Sequence, residues 1–222
     1  MAVITVSRQI GSGGEEIACR VSELLQYCYL DKELITQVAT EMGLLENETI
    51  DFSEEHFKLE SFFERIFRGP GPHVVAHLPA WKQNASGEQI LTTKKLTSHR
   101  LTSLMQNVIM EAYNQGNTVI TGRGGQVILR DRPGVLHVRI EAPLGTRMRY
   151  IHEREGLSIE ASYQLIADRD QQSARYLHQL FDVRWDDPML YHLLLNTGKW
   201  APEAAAQLIV KAVEQLSVEE PV

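Results

Sequence analysis

Cysteine is scarce in this chain: 222 residues hold two, Cys19 and Cys28. Two thiols with no second pair exclude a disulfide framework and a zinc cluster, and reduced thiols of a cytoplasmic protein are expected. Long apolar runs are also missing. No stretch approaches the ~20 residues of a membrane-spanning helix, so no membrane partner is expected. The opening Met1–Val6 is shorter than a signal-peptide core and is soon followed by Arg8, so no secretory leader is expected. Positive charge is in deficit, 22 Lys and Arg against 29 Asp and Glu, which excludes a whole-surface grip on a nucleic acid polymer. There is no Gly-x-Ser-x-Gly elbow and no Ser-His-Asp order, so nothing points to a serine hydrolase. What remains is 43% hydrophobic and 23% charged, the composition of a globular domain. The length suits one large domain, or a core with one insertion.

Along the chain, short apolar strands alternate with helices. Ala2–Val6 is β-branched and apolar, as a buried parallel strand should be. From Glu15 the period changes, with Ile17, Ala18, Val21, Leu24 and Leu25 at helical spacing. Tyr27–Leu30 reads as a second strand ending at Asp31. Further strands are expected at 118–121, 135–140 and 193–195, and helices at 96–113, 143–154, 158–179 and 202–216. Strands alternating with helices imply a parallel sheet covered on both faces. Residues 37–95 differ. They carry an acidic run, an aromatic patch (Phe57, Phe62, Phe63 and Phe67) and the breaker Gly69-Pro70-Gly71-Pro72, and read as a mostly helical insertion. Trp185-Asp186-Asp187-Pro188 reads as a capped turn, and the arginines of 143–154 as a solvated face.

Between the first strand and the first helix lies Ser7-Arg8-Gln9-Ile10-Gly11-Ser12-Gly13-Gly14. A glycine-rich turn there suits phosphate, because backbone N–H groups and the helix dipole point at the anion. Two patterns compete. The dinucleotide pattern G-x-G-x-x-G lacks its third glycine here. The nucleotide-kinase pattern G-x-x-x-x-G-K-[ST] has the right position and glycine density but lacks both the lysine and the hydroxyl. By spacing alone a simple tight turn also remains open.

The order of segments along the chain resembles the cytidylate kinase-like family of P-loop nucleoside monophosphate kinases. Ser7–Gly14 matches that family's opening, Tyr29-Leu30-Asp31 its second strand end, and Thr118–Gly124 its strand and Gly-Arg-Asp turn. Ile166–Arg175 resembles its arginine-rich lid, and Asp187–Gly198 its closing strand and base loop. The resemblance implies a three-layer α/β fold, a P-loop kinase-type parallel sheet flanked by helices, with an Arg-rich lid at about 143–180. Residues 1–36 and 96–222 would form the core. Residues 37–95 would be the helical insertion, serving the acceptor or pairing two copies in a homodimer.

The resemblance further implies a phosphotransferase that uses ATP and Mg²⁺ and acts on nucleotide substrates, the acceptor being a nucleoside monophosphate. The donor phosphates would lie on Gly11, Ser12, Gly13 and Gly14, with Asn196 and Thr197 in the loop packing on adenine. Gly14 stands where the nucleotide-kinase pattern has its lysine, so Arg8 is the candidate for that charge. Glu15 or Glu16 stands where the hydroxyl helps hold Mg²⁺, and Glu15 is the candidate. Its carboxylate would either bind the metal or repel the phosphates, at about 4 kcal/mol for unit charges ~4 Å apart and an effective dielectric near 20. Arg123 and Arg100 would hold the acceptor phosphate, and Asp31 would contact the acceptor or the metal's water. Arg169, Asp170 and Arg175 would supply the lid's charges, although Arg169 and Arg175 project roughly 240° apart on an ideal helix. Gly124 replaces the turn's aspartate. These departures leave two other readings: a nucleotide-binding protein without transfer activity, and a small-molecule kinase with another acceptor.

Overall fold

The computed structural model describes residues 2–31, 34–35, 82–83, 89–90 and 98–216. Five strands form one all-parallel sheet in the order β2-β5-β1-β6-β7: β1 Val3–Arg8, β2 Cys28–Leu30, β5 Thr118–Thr121, β6 Val135–Glu141 and β7 Leu193–Asn196. The period-2 alternation of β1 feeds two separate cores. Val3 packs with Leu104, Met105, Val108, Ile109 and Ala112 of helix α2, Ser98–Gln115. Ile4 and Val6 pack on the other face with Ile17, Ala18 and Val21 of α1, Gly14–Leu25, and with Ala205, Ala206 and Ile209 of α6, Pro202–Glu214. The result is the expected three-layer arrangement.

Because every strand runs the same way, their C-terminal ends share one edge of the sheet. There the chain turns from β1 into α1, from β5 into the short helix α3, Gly125–Ile128, and from β6 into α4, Leu144–Glu155. The long helix α5, Ile159–Phe181, follows α4. It begins at Ser158, whose side chain accepts a hydrogen bond from the Ala161 N–H. This edge is where open parallel sheets bind ligands.

Most of the expected 37–95 insertion lies outside the described residues. Within it, β3 Lys82–Gln83 and β4 Gln89–Ile90 pair antiparallel, where a helical segment is expected.

Candidate functional site

The glycine-rich turn is a braced loop. Gly11 and Gly13 have φ of 75° and 73°, the left-handed region that glycine enters without penalty. Gly11 also has a neighbour that forbids a side chain: a Cβ there would sit 2.8 Å from the Arg147 carbonyl oxygen. The Ser12 hydroxyl donates to the Gln9 carbonyl at 2.7 Å, and Thr197 Oγ1 donates to the Ser12 carbonyl at 2.8 Å. The Ala142 N–H donates to Gln9 Oε1 at 3.2 Å, and Arg147 Nε donates to the Ile10 carbonyl at 2.7 Å. The loop therefore holds its shape through hydrogen bonds from the β6–α4 and β7–α6 connections and from α4. It delivers the chain into the first turn of α1, whose leading N–H groups have no intrahelical acceptor and carry the positive end of the helix dipole.

Each glutamate of that first turn meets an arginine. Arg8 Nη2 donates to Glu15 Oε1 at 2.6 Å, with the Arg8 side chain 15% exposed. Glu16 pairs with Arg154 of α4, which also reaches the Tyr150 hydroxyl. The repulsion expected from Glu15 is thus met by a cation within the same loop.

Across the sheet edge, Gly122, Arg123 and Gly124 all have positive φ, at 77°, 54° and 78°. An arginine in that region stores backbone strain, and here it directs the guanidinium toward Tyr176 of α5, 5.9 Å from the ring centroid. Burial pushes the Tyr176 hydroxyl pKa up, and the Arg123 charge beside it pulls the other way. Where the aspartate of a Gly-Arg-Asp turn would project, Gly124 faces an aromatic ring: a Cβ there would lie 2.6 Å from Phe181 Cε2.

Loop, turn, α4 and α5 enclose a cavity of about 650 Å³, the size of a small-molecule site. Its lining includes Arg8, Arg123, Arg154 and Arg169 together with Glu15, Glu155 and Asp170. The α5 face turned to it runs through Leu165, Arg169, Gln172, Ser173 and Tyr176. Arg175 is exposed and is not part of the lining, as a separation of six residues on a helix requires. The cavity therefore receives Arg169 without Arg175. Asp170 lies at the cavity with its Oδ2 accepting from Arg147 Nη2 at 2.6 Å, while its Oδ1 is buried with no hydrogen-bond partner among the described residues.

A family model described as the cytidylate kinase-like family matches residues 3–199. The chain belongs to the cytidylate kinase-like family. A cytidylate kinase of Pyrococcus horikoshii is 31% identical over 107 residues, 48% of this chain and 55% of that protein. The match thus spans about half of that relative's length. A cytidylate kinase of Thermococcus sibiricus is 26% identical over 215 residues, 96% of this chain and 89% of that protein. The solved structure of an uncharacterized protein from Eubacterium ventriosum superposes with a TM-score of 0.67 at 18% identity, covering 96% of this chain and 99% of that one. It shares the fold. No helix among the described residues is long and apolar enough to cross a membrane.

The other residues singled out for a member of this family fall as follows. Asp31, at the end of β2, accepts a hydrogen bond from the Leu34 N–H at 2.7 Å and so caps the next turn; it is not in the cavity lining. Arg100 lies in the first turn of α2, and its side chain is outside the described residues. Asn196 accepts from the Gly198 N–H at 2.9 Å and shapes its own loop. Thr197 donates to Ser12 and braces the glycine-rich loop. No group of three His, Cys, Asp or Glu able to hold a metal ion occurs among the described residues. Glu15 is a carboxylate of the first turn of α1, next to the loop.

Three residues have contacts that the sequence does not show. Arg147 is not on a solvated face: it is 4% exposed and joins the loop to α5. Trp185 is part of more than a capped turn. The cap exists, since Asp187 accepts from the Met189 N–H at 2.9 Å. The indole, however, is buried, lines the cavity and donates to Ser7 Oγ at 2.9 Å. Arg139, in mid-β6, is 1% exposed. It donates to the Trp185 carbonyl at 2.7 Å, pairs with Glu141, and stacks 4.4 Å from the Trp185 ring. A lone arginine in an apolar strand is the one signal that marked it.

Proposed function

We propose that this chain transfers the γ-phosphoryl group of ATP to a nucleoside monophosphate. The reading is carried by one observation: the braced glycine loop, Arg123 and Arg169 border the same cavity. Phosphoryl transfer asks a protein mainly for positioning and positive charge, which these groups offer.

In this reading the N–H groups of Gly13 and Gly14 and the guanidinium of Arg8 bind the donor polyphosphate. Arg123, held rigid by its turn, binds the acceptor phosphate and aims one of its oxygens at the γ-phosphorus, ADP being the leaving group. Arg169 meets the charge of the transferring group from α5. Arg147 keeps α5 in register with the loop, so Asp170 is a positioning residue here. Glu15 would be the residue to hold a Mg²⁺ brought with the polyphosphate, which would supply charge neutralisation there. Mg²⁺ usually keeps several waters and needs only one or two carboxylates, which fits Glu15 in the first turn of α1, without a protein cage.

The test is incubation with ATP, Mg²⁺ and each of CMP, dCMP, UMP, AMP and GMP. ADP and diphosphate should form with one acceptor. Arg123→Ala should lower that rate about 100-fold, the loss expected for charged hydrogen bonds to phosphate, and leave ATP binding unchanged. ATP binding without product from any acceptor overturns the reading in favour of a nucleotide-binding protein that does no transfer.

A further inference from the structure

Aligned on Gly13, the pattern G-x-x-x-x-G-K-[ST] places its first glycine at position 8 and its lysine at position 14. This chain has arginine at the first and glycine at the second. It carries a long cation where the pattern carries no side chain, and no side chain where the pattern carries the cation. We propose that this is a paired exchange: Arg8 delivers the phosphate-binding charge from the end of β1, and Gly14 is bare because the Arg8 stem fills its space.

The backbone gives Gly14 no reason of its own to be glycine. Gly14 opens α1 and is not among the positive-φ residues, unlike Gly13 before it. A glycine in a helix costs about 1 kcal/mol against alanine. The reason is steric. A Cβ at Gly14 would lie 2.5 Å from Arg8 Cβ and 3.0 Å from Arg8 Cγ. Both contacts fall well inside the ~3.5–4.0 Å optimum for carbon pairs, and Cβ is the least movable atom of a side chain. Position 14 therefore cannot take lysine while position 8 holds arginine.

The charge itself is in place. The Arg8 guanidinium lines the cavity and rests on Glu15 Oε1 at 2.6 Å, beside the start of α1. Glu15 holds it there, and a polyphosphate on the loop offers it stronger acceptors. The guanidinium also brings paired donors where a lysine would bring a point charge.

The inference rests on the reading of this loop as the donor-phosphate site. Its test uses tripolyphosphate and ATP as probes, with calorimetry on the full chain and on Arg8→Gly, Gly14→Lys and the double variant. Arg8→Gly should bind both probes about 10- to 100-fold more weakly, as loss of a charged hydrogen bond implies. Arg8→Gly with Gly14→Lys should regain most of that loss. A stability cycle accompanies it. Gly14→Ala should lower the melting temperature in the Arg8 background and not in the Arg8→Gly background. Unchanged binding by Arg8→Gly, or an equal effect of Gly14→Ala in both backgrounds, overturns the exchange. If Arg8→Gly loses tripolyphosphate but the unmodified chain makes no diphosphate from any acceptor, the exchange stands and the phosphotransfer reading fails. If Arg8→Gly makes diphosphate at the unmodified rate, the reverse holds.

Discussion

The loop after β1 and the turn after β5 use the same local device, glycines of positive φ behind a buried strand, and both present an arginine to one cavity. They are held in place by different forces. The loop is fixed by polar bonds from Thr197, Ala142 and Arg147. The turn after β5 is packed beneath a ring, with Phe181 against Gly124 and Tyr176 beside Arg123. The elements that follow differ too. The loop opens a helix of 12 residues and the turn one of four, so a developed helix dipole exists only at the loop. The lesson is a division of labour: one region offers backbone donors in a rigid frame, the other offers a side chain on an apolar bed.

The largest test breaks the polar frame. Arg147 has a side chain 5% exposed, joined to Asp170, which is 24% exposed. Arg147→Ala removes the bond to Ile10 and leaves the Asp170 carboxylate without its cation. Breaking a buried pair on one side costs about 3–5 kcal/mol, so urea denaturation should report a loss of that order. Arg147→Met combined with Asp170→Leu should recover much of it, because no uncompensated charge remains. A loss under about 1 kcal/mol for the single change, the level of exposed pairs, sinks the view of the loop as polar-braced.

The next effect tests whether the two regions loosen together. His137 of β6 bonds Thr5 Oγ1 at 2.7 Å, and the Thr5 methyl lies 3.3 Å from where a Gly125 Cβ would be, beneath the turn. Burial, and then the neighbouring His192, pull the His137 pKa down from 6.5 to about 4. The unfolded chain binds this proton below its ordinary value, and the folded chain only near the lower one. Within that window the unfolded state holds more protons, so stability falls as pH falls through it and is flat above it. The full loss is roughly 3 kcal/mol. Unfolding at pH 7 and 4.5 should show most of it, and His137→Gln should remove it. Amide exchange should rise at Gly122, which donates to Val6, before it rises at Ser12, which donates to Gln9.

Much of this was legible in the sequence. The five core strands and the helices between them follow from β-branched runs and helical periodicity, which depend on neighbours in the chain. The separation of Arg169 from Arg175 follows from helix geometry alone. The unread features depend on partners far away in sequence. Trp185 meets Ser7 across 178 positions, and Arg147 meets Ile10 across 137. An arginine in a charged helix looks the same whether it faces water or a carbonyl. Asp31 shows a local contact instead, a strand-end carboxylate that accepts from the Leu34 N–H three positions on.

The smallest test compares two glycines directly. Gly13 and Gly124 have nearly the same φ, 73° and 78°, so alanine pays a similar left-handed cost at each, about 1 kcal/mol. Their surroundings differ. A Cβ at Gly13 meets nothing within 4 Å, whereas one at Gly124 lies 2.6 Å from Phe181 Cε2 and 3.4 Å from Leu177 Cδ2. Overpacking adds at least ~1 kcal/mol, so Gly124→Ala should destabilise by about 2 kcal/mol against about 1 for Gly13→Ala. The excess at Gly124 should shrink in a Phe181→Leu background, where the ring edge is gone, and the Gly13→Ala value should not change there. Equal costs in both backgrounds would mean that Phe181 yields freely, and that the turn is set by its own backbone and not by the ring above it.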